Sequence, residues 1–469
     1  MNQEDLCYTP ATELVRAVRE KSLSPVEITD AVLQTIEKLN PLLNAFCTLT
    51  ADTAREDAKR AEEAVAKGEP LGALHGIPFS IKDLVITKGV RTMRGSKIYE
   101  HDVPHEDAPV VTRLRKAGGI FLGKTTTPEF GWKGMTDSLV TGVTRNPWNT
   151  SLTPGGSSGG GAAQVAAGMG PLAQGSDGGG SIRIPCAFTG IYGIKPTFGR
   201  VPIYPAGTFD ALSHLGPMTR TVADAALMLS VMAGPDPVDR LCLESQPADY
   251  VGELHKGIKG LRVAWSPDLG YAKVDPEVAR LCAAAAEAFS GLGCEVEEVN
   301  PGFGNPEEIF VKYWLAGAAA MLGEHLPEWE DRMDPGLVSV VKEGLKMPSV
   351  AFPRAQSARH QFYDKVRRFF ENYDLLLTPT LAVLPFAAEA TPTGPEDSND
   401  WHEWMSWTPF SYPFNLTHMP AATVPAGFSK NGLPAGLHIV APRFHDLRVL
   451  QASAAFEEAR PWADKRPPI

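Results

Sequence analysis

Residues 153–199 read TPGGSSGGGAAQVAAGMGPLAQGSDGGGSIRIPCAFTGIYGIKPTFG, and the reading of this run decides the fold. Glycine and small residues dominate it, as they would a flexible linker. Yet it holds alanine-rich helical pieces (AAQVAAGMG) and short apolar pieces (SIRIP, GIYGI) that a linker lacks. The run is therefore folded chain.

Upstream, short apolar runs such as IPFSI and IFLG alternate with Gly- and Pro-rich loops, the look of buried strands joined by turns. The N-terminus is helical instead. Ser24 caps VEITDAVLQTIEKL, with Glu27 three residues on, and Asn40-Pro41 is expected to stop it. A second helix is expected from about Thr50 to Lys67, ended by Gly68. Downstream come a helix at about 221–233, a surface connection at PDPVD, and LRVAW, an alanine-rich helix and CEVEEV as a strand–helix–strand unit. Helices fill about 306–372, DLLLTPT and LHIVAP are two late strands, and 447–459 is the last helix. Such alternation predicts an α/β fold, a mixed sheet under helices. We expect one unit over 1–469: a helical segment (1–68), a core (71–235) and the remaining sheet and helices (236–469).

The chain has 469 residues, 43% hydrophobic and 21% charged, enough to bury a sizeable core. A net charge of −11 argues against nucleic acid or anionic membrane as partner, since phosphate binding needs clustered Lys and Arg. Six scattered cysteines without a Cys-x-x-Cys pair read as reduced thiols of a cytoplasmic protein. The start, MNQEDLCYTP, has the wrong charge and no apolar run for a signal peptide, and no stretch suits a membrane span.

Three motifs compete. Gly118-GIFL-Gly123-Lys124-Thr125 matches a phosphate loop formally, but a helix precedes it and GIFLG itself reads as the strand, the reverse of the required order. Gly155-Gly-Ser157-Ser-Gly159 matches a nucleophile elbow, but a polar loop, NPWNTSLTP, precedes it where a buried strand is needed. The third is Asp177-Gly-Gly-Gly-Ser181-Ile-Arg183. Three glycines let successive N–H groups converge on one point, as an oxyanion hole requires, and place Ser181 as a nucleophile. A tight turn with an incidental serine explains this segment equally well on its own.

A serine nucleophile needs a base. None of the eleven histidines has a helpful local setting, and His101 and His105, separated by Pro104, do not make a metal site. Lys82 ends the apolar run Ile77–Ile81. Burial there would lower its pKa and free an amine to accept a proton; snorkelling to water is the ordinary alternative.

Together these segments closely resemble the amidase signature family. The match lies in GIPFSIKD (76–83), NPW (146–148), TPGGSSGGGAA (153–163) and GSDGGGSIRIPCAFTGIYGIKP (175–196). It continues through GPMTRTVADAALML (216–229), LLLTPT (375–380), PFNLTHMPAATVPAG (413–427) and GLPAGLHIV (432–440), nearly the whole chain. The resemblance implies a single α/β domain whose central mixed sheet is covered by helices on both faces. It implies hydrolysis of amide C–N bonds through an acyl-enzyme, by a triad of Lys82, Ser157 (entered through a cis peptide) and Ser181. The N–H groups of Gly178, Gly179, Gly180 and Ser181 would form the oxyanion hole, with no cofactor and no metal. Ser158 and Arg183 would support the loop, and Asp177 would anchor it by accepting backbone hydrogen bonds. Two positions depart from the family pattern: Gly178, where Thr or Ile is frequent, and His418, where glycine is common. Both bear on pocket shape.

Substrate choice is carried by variable segments. Phe130 and Trp132, with Trp401, Trp404, Trp407, Phe410 and Tyr412 near the C-terminus, suit an aryl or alkyl amide, with carbamates and small ureas next; core packing explains them equally. The rival readings are the amidase component of a tRNA-dependent amidotransferase, an esterase using Ser157, and a non-catalytic scaffold. The expected partner is a small amide-type molecule, not nucleic acid or membrane; the hydrolase reading allows a homodimer, and the amidotransferase reading requires partner subunits.

Overall fold

A computed structural model describes residues 2–207, 209, 211–389 and 403–469. Its strands are β1 (Phe46–Leu49), β2 (Pro78–Lys82), β3 (Ile120–Thr125), β4 (Asp137–Ser138), β5 (Gly142–Val143), β6 (Leu172–Asp177), β7 (Tyr192–Lys195), β8 (His214–Thr219), β9 (Arg262–Trp265), β10 (Glu295–Glu298), β11 (Leu375–Pro379), β12 (Ala421–Phe428) and β13 (Pro434–Val440). Eleven of them form one sheet in the order β1-β3-β2-β6-β8-β7-β12-β13-β11-β9-β10, while β4 and β5 pair separately. The sheet is mixed. β2 runs parallel to β3 and β6, and β9 parallel to β10 and β11, whereas β6–β8 and β12–β13 are antiparallel.

Alternation along single strands shows that helices cover both faces. Leu375 and Leu377 of β11 enter one apolar core with the helices Pro25–Leu43, Val222–Met232, Pro276–Gly291 and Asp446–Ala459. Leu376, pointing the other way, joins a second core with Glu307–Leu322, Pro335–Leu345 and Ala351–Phe369. Among the described residues no helix is long and apolar enough to cross a membrane.

Local chemistry explains most boundaries. Ser24 and Glu27 form a capping box at the start of Pro25–Leu43. Pro41 does not stop that helix, which runs on to Leu43. A proline so near the C-terminus removes only one bond of the last turn, and Asn44, at φ 51°, ends the helix instead. Asn40 Oδ1 then accepts the N–H groups of Ala45 and Phe46 (2.9 and 2.8 Å) and turns the chain into β1.

The phosphate-loop match is a strand. Lys124 lies in β3, buried, with Nζ bonded to Thr87 Oγ1 (3.2 Å), Thr92 Oγ1 (3.1 Å) and the Val85 carbonyl. The glycine-rich run is packed through close backbone approach. At Gly160, in the helix Gly159–Ala166, an added Cβ would sit 2.3 Å from Thr126 Oγ1 and 2.5 Å from the Ala45 carbonyl oxygen. Only glycine fits there.

Candidate active site

β2 places its lysine by period two. Phe79 and Ile81 point into the first core, so Ser80 and Lys82 occupy the opposite face. On that face Ser80 Oγ donates to Gln164 Oε1 (2.6 Å) in the helix Gly159–Ala166, which sets Lys82 beneath the start of that helix. Lys82 does not snorkel; it is 0% exposed. Its Nζ lies 2.7 Å from Ser157 Oγ, 2.9 Å from Ser158 Oγ and 3.0 Å from Ser176 Oγ. Burial pushes its pKa well below the ordinary lysine value, and the Asp177 charge opposes that shift only in part.

The three hydroxyls are not equivalent. Ser158 Oγ donates to the Ser176 carbonyl (3.1 Å) and accepts the Ser176 N–H (3.2 Å). Its proton is committed, so it can only accept from Lys82. The lone pair of a neutral Lys82 therefore faces Ser157 or Ser176. The Gly156–Ser157 peptide is cis. No strand feeds Ser157, whose upstream segment is loop, so the elbow reading lacks its framework.

Ser181 stands on the turn that follows β6. Asp177, the last residue of β6, gathers this turn. Its carboxylate accepts the N–H groups of Gly180 (2.8 Å) and Ile182 (3.2 Å), Arg183 Nε and Nη2 (both 2.9 Å) and Asn415 Nδ2 (2.9 Å). Burial alone would raise its pKa, but Arg183, Lys195 and Asn415 together hold the carboxyl well below the usual range. Arg183 is equally buried and donates further to the Ser411 carbonyl (3.0 Å) and Asn415 Oδ1 (2.7 Å). Asp177 and Arg183 thus support the turn, as the resemblance implied.

Gly180 departs from the oxyanion expectation because Asp177 already takes its N–H. Gly178, Gly179 and Ser181 are the turn's donors without an acceptor among the described residues. A Cβ at Gly178 would lie 3.5 Å from Trp314, ordinary contact distance, so the indole fills the space above the bare glycine. His418 has φ 59°, a left-handed conformation that accounts for glycine being common there. Its ring stacks on Phe198 (3.9 Å between centroids) and bonds the Ala211 carbonyl (2.8 Å) and Arg359.

Ser157 and Ser181 open on one cavity, whose wall includes Leu84, Phe130, Ile203, Tyr204, Phe209, Trp314 and Met321. Of the aromatic residues expected to bind substrate, Phe130 lies in this wall. Trp132, Trp404 and Trp407 do not. Trp407 stacks on Phe188 (5.8 Å) in the core, Trp404 packs behind the site against Phe310 and Trp314, and Trp132 lies against Gly336. Trp401 falls outside the described residues. The wall instead uses Ile203, Tyr204, Pro205, Ala206, Gly207 and Phe209, together with Trp314, which stacks on Phe209 at 3.6 Å. The signal for that loop was its apolar composition between the glycine-rich run and the next strand. Among the described residues no histidine lines the cavity and no group of three metal-ligating side chains occurs.

A family model described as Amidase matches residues 27–450. An acylamidase of Rhodococcus erythropolis is 43% identical over 473 residues, covering 100% of this chain and 98% of its own. A component of the glutamyl-tRNA(Gln) amidotransferase of Synechococcus is 37% identical, with 95% of each chain covered. The crystal structure of a bacterial aryl acylamidase superposes with a TM-score of 0.90 at 32% identity, covering 97% of both chains. With the fold and site above, these similarities define the class: an α/β enzyme that hydrolyses amide C–N bonds. The chain belongs to the amidase signature family.

Proposed function

We propose that Lys82, Ser157 and Ser181 carry out this hydrolysis, and that the substrate is an aryl or alkyl amide. The observation that carries the reading is a fully buried lysine amine 2.7 Å from a serine hydroxyl, with no carboxylate in contact among the described residues. Neutral Lys82 accepts a proton from Ser157 as Ser157 takes one from Ser181, and Ser181 Oγ attacks the carbonyl carbon. The N–H groups of Gly178, Gly179 and Ser181 stabilise the oxyanion. The proton returns through Ser157 to the nitrogen, the C–N bond breaks, and the amine leaves an acyl-Ser181. Water then repeats the relay and releases the acid. Ser157 and Ser181 line one cavity, and the relay requires their hydroxyls to come into hydrogen-bond contact when substrate is bound.

The aromatic and aliphatic wall, the acylamidase relative and the aryl acylamidase structure support aryl or alkyl amides; carbamates, with a similar tetrahedral intermediate, come next. Fluorophosphonate labelling and a hydrolysis panel of anilides, aliphatic amides, carbamates and esters test the reading. Both labelling and anilide turnover are expected to vanish in Ser181→Ala; labelling that followed Ser157 alone would overturn it. The second reading, a component of an amidotransferase, draws on the 37% identical relative and requires partner chains that co-purify. Sizing the purified protein separates that assembly from a monomer or a homodimer. Six free thiols and a net charge of −11 support a cytoplasmic location.

A further inference from the structure

Arg94 stands in the wall of the cavity that holds Ser157, Ser181 and Phe130. It is the one charged side chain among the described lining residues. Its neighbours there include Leu84, Ile203, Tyr204 and Phe209, which offer it no counter-charge. Among the described residues no carboxylate forms an ion pair with it, and even its buried Nε has no acceptor. Arg183 shows how this fold treats an arginine of structural purpose: both of its edges are filled by Asp177, Asn415 and backbone carbonyls. A half-buried guanidinium without a carboxylate partner in an apolar cleft is costly, and the Tyr99 ring face offsets that cost only in part.

The side chain is held in place. Arg94 N–H donates to the Asp83 carbonyl (3.1 Å), and the Arg94 carbonyl accepts the Phe130 N–H (2.8 Å). Asp83 follows Lys82 directly, so the Arg94 turn is tied to the strand end that carries the amine. The Asp83 carboxylate faces the Met93 N–H (3.1 Å) and not the guanidinium. Arg94 itself has φ 55°, a left-handed conformation that is uncommon for a side-chain-bearing residue. Its guanidinium lies 4.1 Å from the Tyr99 ring centroid, and Tyr99 meets Phe130 edge-on at 5.9 Å. Stacking on an aromatic face fixes the plane of the fork and leaves in-plane N–H edges for a ligand.

We propose that Arg94 is a specificity-determining residue, and that the preferred substrate is an amide bearing a carboxylate that Arg94 binds beside the scissile bond. This rests on the reading above only for where the scissile bond lies. A carboxylate accepts two parallel N–H bonds from a guanidinium, a match that a neutral amide oxygen does not offer. With a net charge of −11, the chain as a whole does not draw anions in; selection falls to this one contact.

The test separates binding from turnover. Calorimetry on Ser181→Ala compares phenylbutyrate with phenylbutanamide, and para-acetamidobenzoate with para-acetamidobenzamide. At least one carboxylate is expected to bind about ten-fold or more tightly than its neutral isostere, a difference that Arg94→Gln erases and Arg94→Lys keeps in part. In the active enzyme the ratio of kcat/KM for glutaryl para-nitroanilide over its neutral carboxamide analogue falls by a similar factor in Arg94→Gln, mainly through KM. The proposal is overturned if neither carboxylate outbinds its isostere in Ser181→Ala, a result that needs no Arg94 variant to fold. It is equally overturned if the preference survives in a folded Arg94→Gln. Carboxylate preference in binding without anilide turnover would sink the reading of the reaction and leave this one standing.

Discussion

Lys82 Nζ and Ser157 Oγ lie 2.7 Å apart at the end of β2, in a pocket of hydroxyls where no carboxylate among the described residues touches the amine. A protonated lysine there would be cut off from bulk solvent, with no contacting counter-ion among the described residues. That environment makes the lysine a proton acceptor, and it makes the residue a stability liability.

Lys82→Met separates those two effects. We expect kcat/KM for an anilide to fall by at least about 10²–10⁴-fold, the usual contribution of a positioned base. In the wild type, kcat/KM should fall on the acid side as Lys82 becomes protonated, with a midpoint well below the ordinary lysine value. The sign for stability follows from linkage. Between the lowered folded pKa and the unfolded value the unfolded chain binds more protons, so the Lys82 contribution to stability rises with pH in that window. Lys82→Met removes this slope, and its Tm near neutral pH should equal or exceed the wild-type value. A Tm several degrees lower would refute the liability.

Asp177→Asn leaves Arg183 buried without its charge partner. Breaking one side of such a pair costs about 3–5 kcal/mol, which urea denaturation at neutral pH should read directly. In the wild type the depressed Asp177 pKa contributes stability that is fully present above the unfolded carboxyl value, about 3.9. It is lost as pH falls from there toward the folded value. Asp177→Asn should therefore have a flatter stability profile below about pH 4. Parallel profiles for the two proteins would contradict the assignment.

Within the turn after β6, Gly178 and Gly180 should respond differently to an added methyl group. Gly180 has φ 130°, and an added Cβ would meet Ser411 Oγ at 2.6 Å. Gly180→Ala should cost about 1–3 kcal/mol from backbone strain, and more from the clash. Gly178 is free of both constraints, so Gly178→Ala should shift stability by no more than about 1 kcal/mol while keeping its N–H. Thermal melts of the two variants check the contrast, and equal melting temperatures would refute it.

The legible parts of this chain are those where local pattern and tertiary role agree. Ala51–Lys67 and Pro276–Gly291 carry helical periodicity with Gly68 or Asp275 at an end, and both are readable. β8 (HLGPMT) and β12 (AATVPAGF) are not, because Pro217, Pro425 and Gly427 argue against a strand. The sheet tolerates them because its core demands strands there, and β12 shifts register between Pro425 and Gly427. In the site, Ser181 is visible from its glycines, whereas Lys82 could equally have snorkelled. Burial beneath the helix Gly159–Ala166, with Nζ held by Ser157 from 75 residues downstream, settles that, and no local pattern encodes it. The substrate wall is least legible. Phe209 and Trp314 stack from distant segments, while the more conspicuous Trp404 and Trp407 serve the core.

That last division is testable through specificity. Trp314 touches the cavity and covers Gly178, so Trp314→Ala should enlarge the space over the oxyanion turn. The ratio of kcat/KM for a long-chain acyl anilide over acetanilide should rise, chiefly through a lower KM for the longer substrate. Trp407 is stacked on Phe188 away from the wall. Trp407→Ala should lose about 3–5 kcal/mol of stability, as truncating a large buried aromatic does, with that ratio unchanged. If the ratio moved equally in both variants, acyl selectivity would be governed by the whole aromatic core and not by its cavity-facing edge.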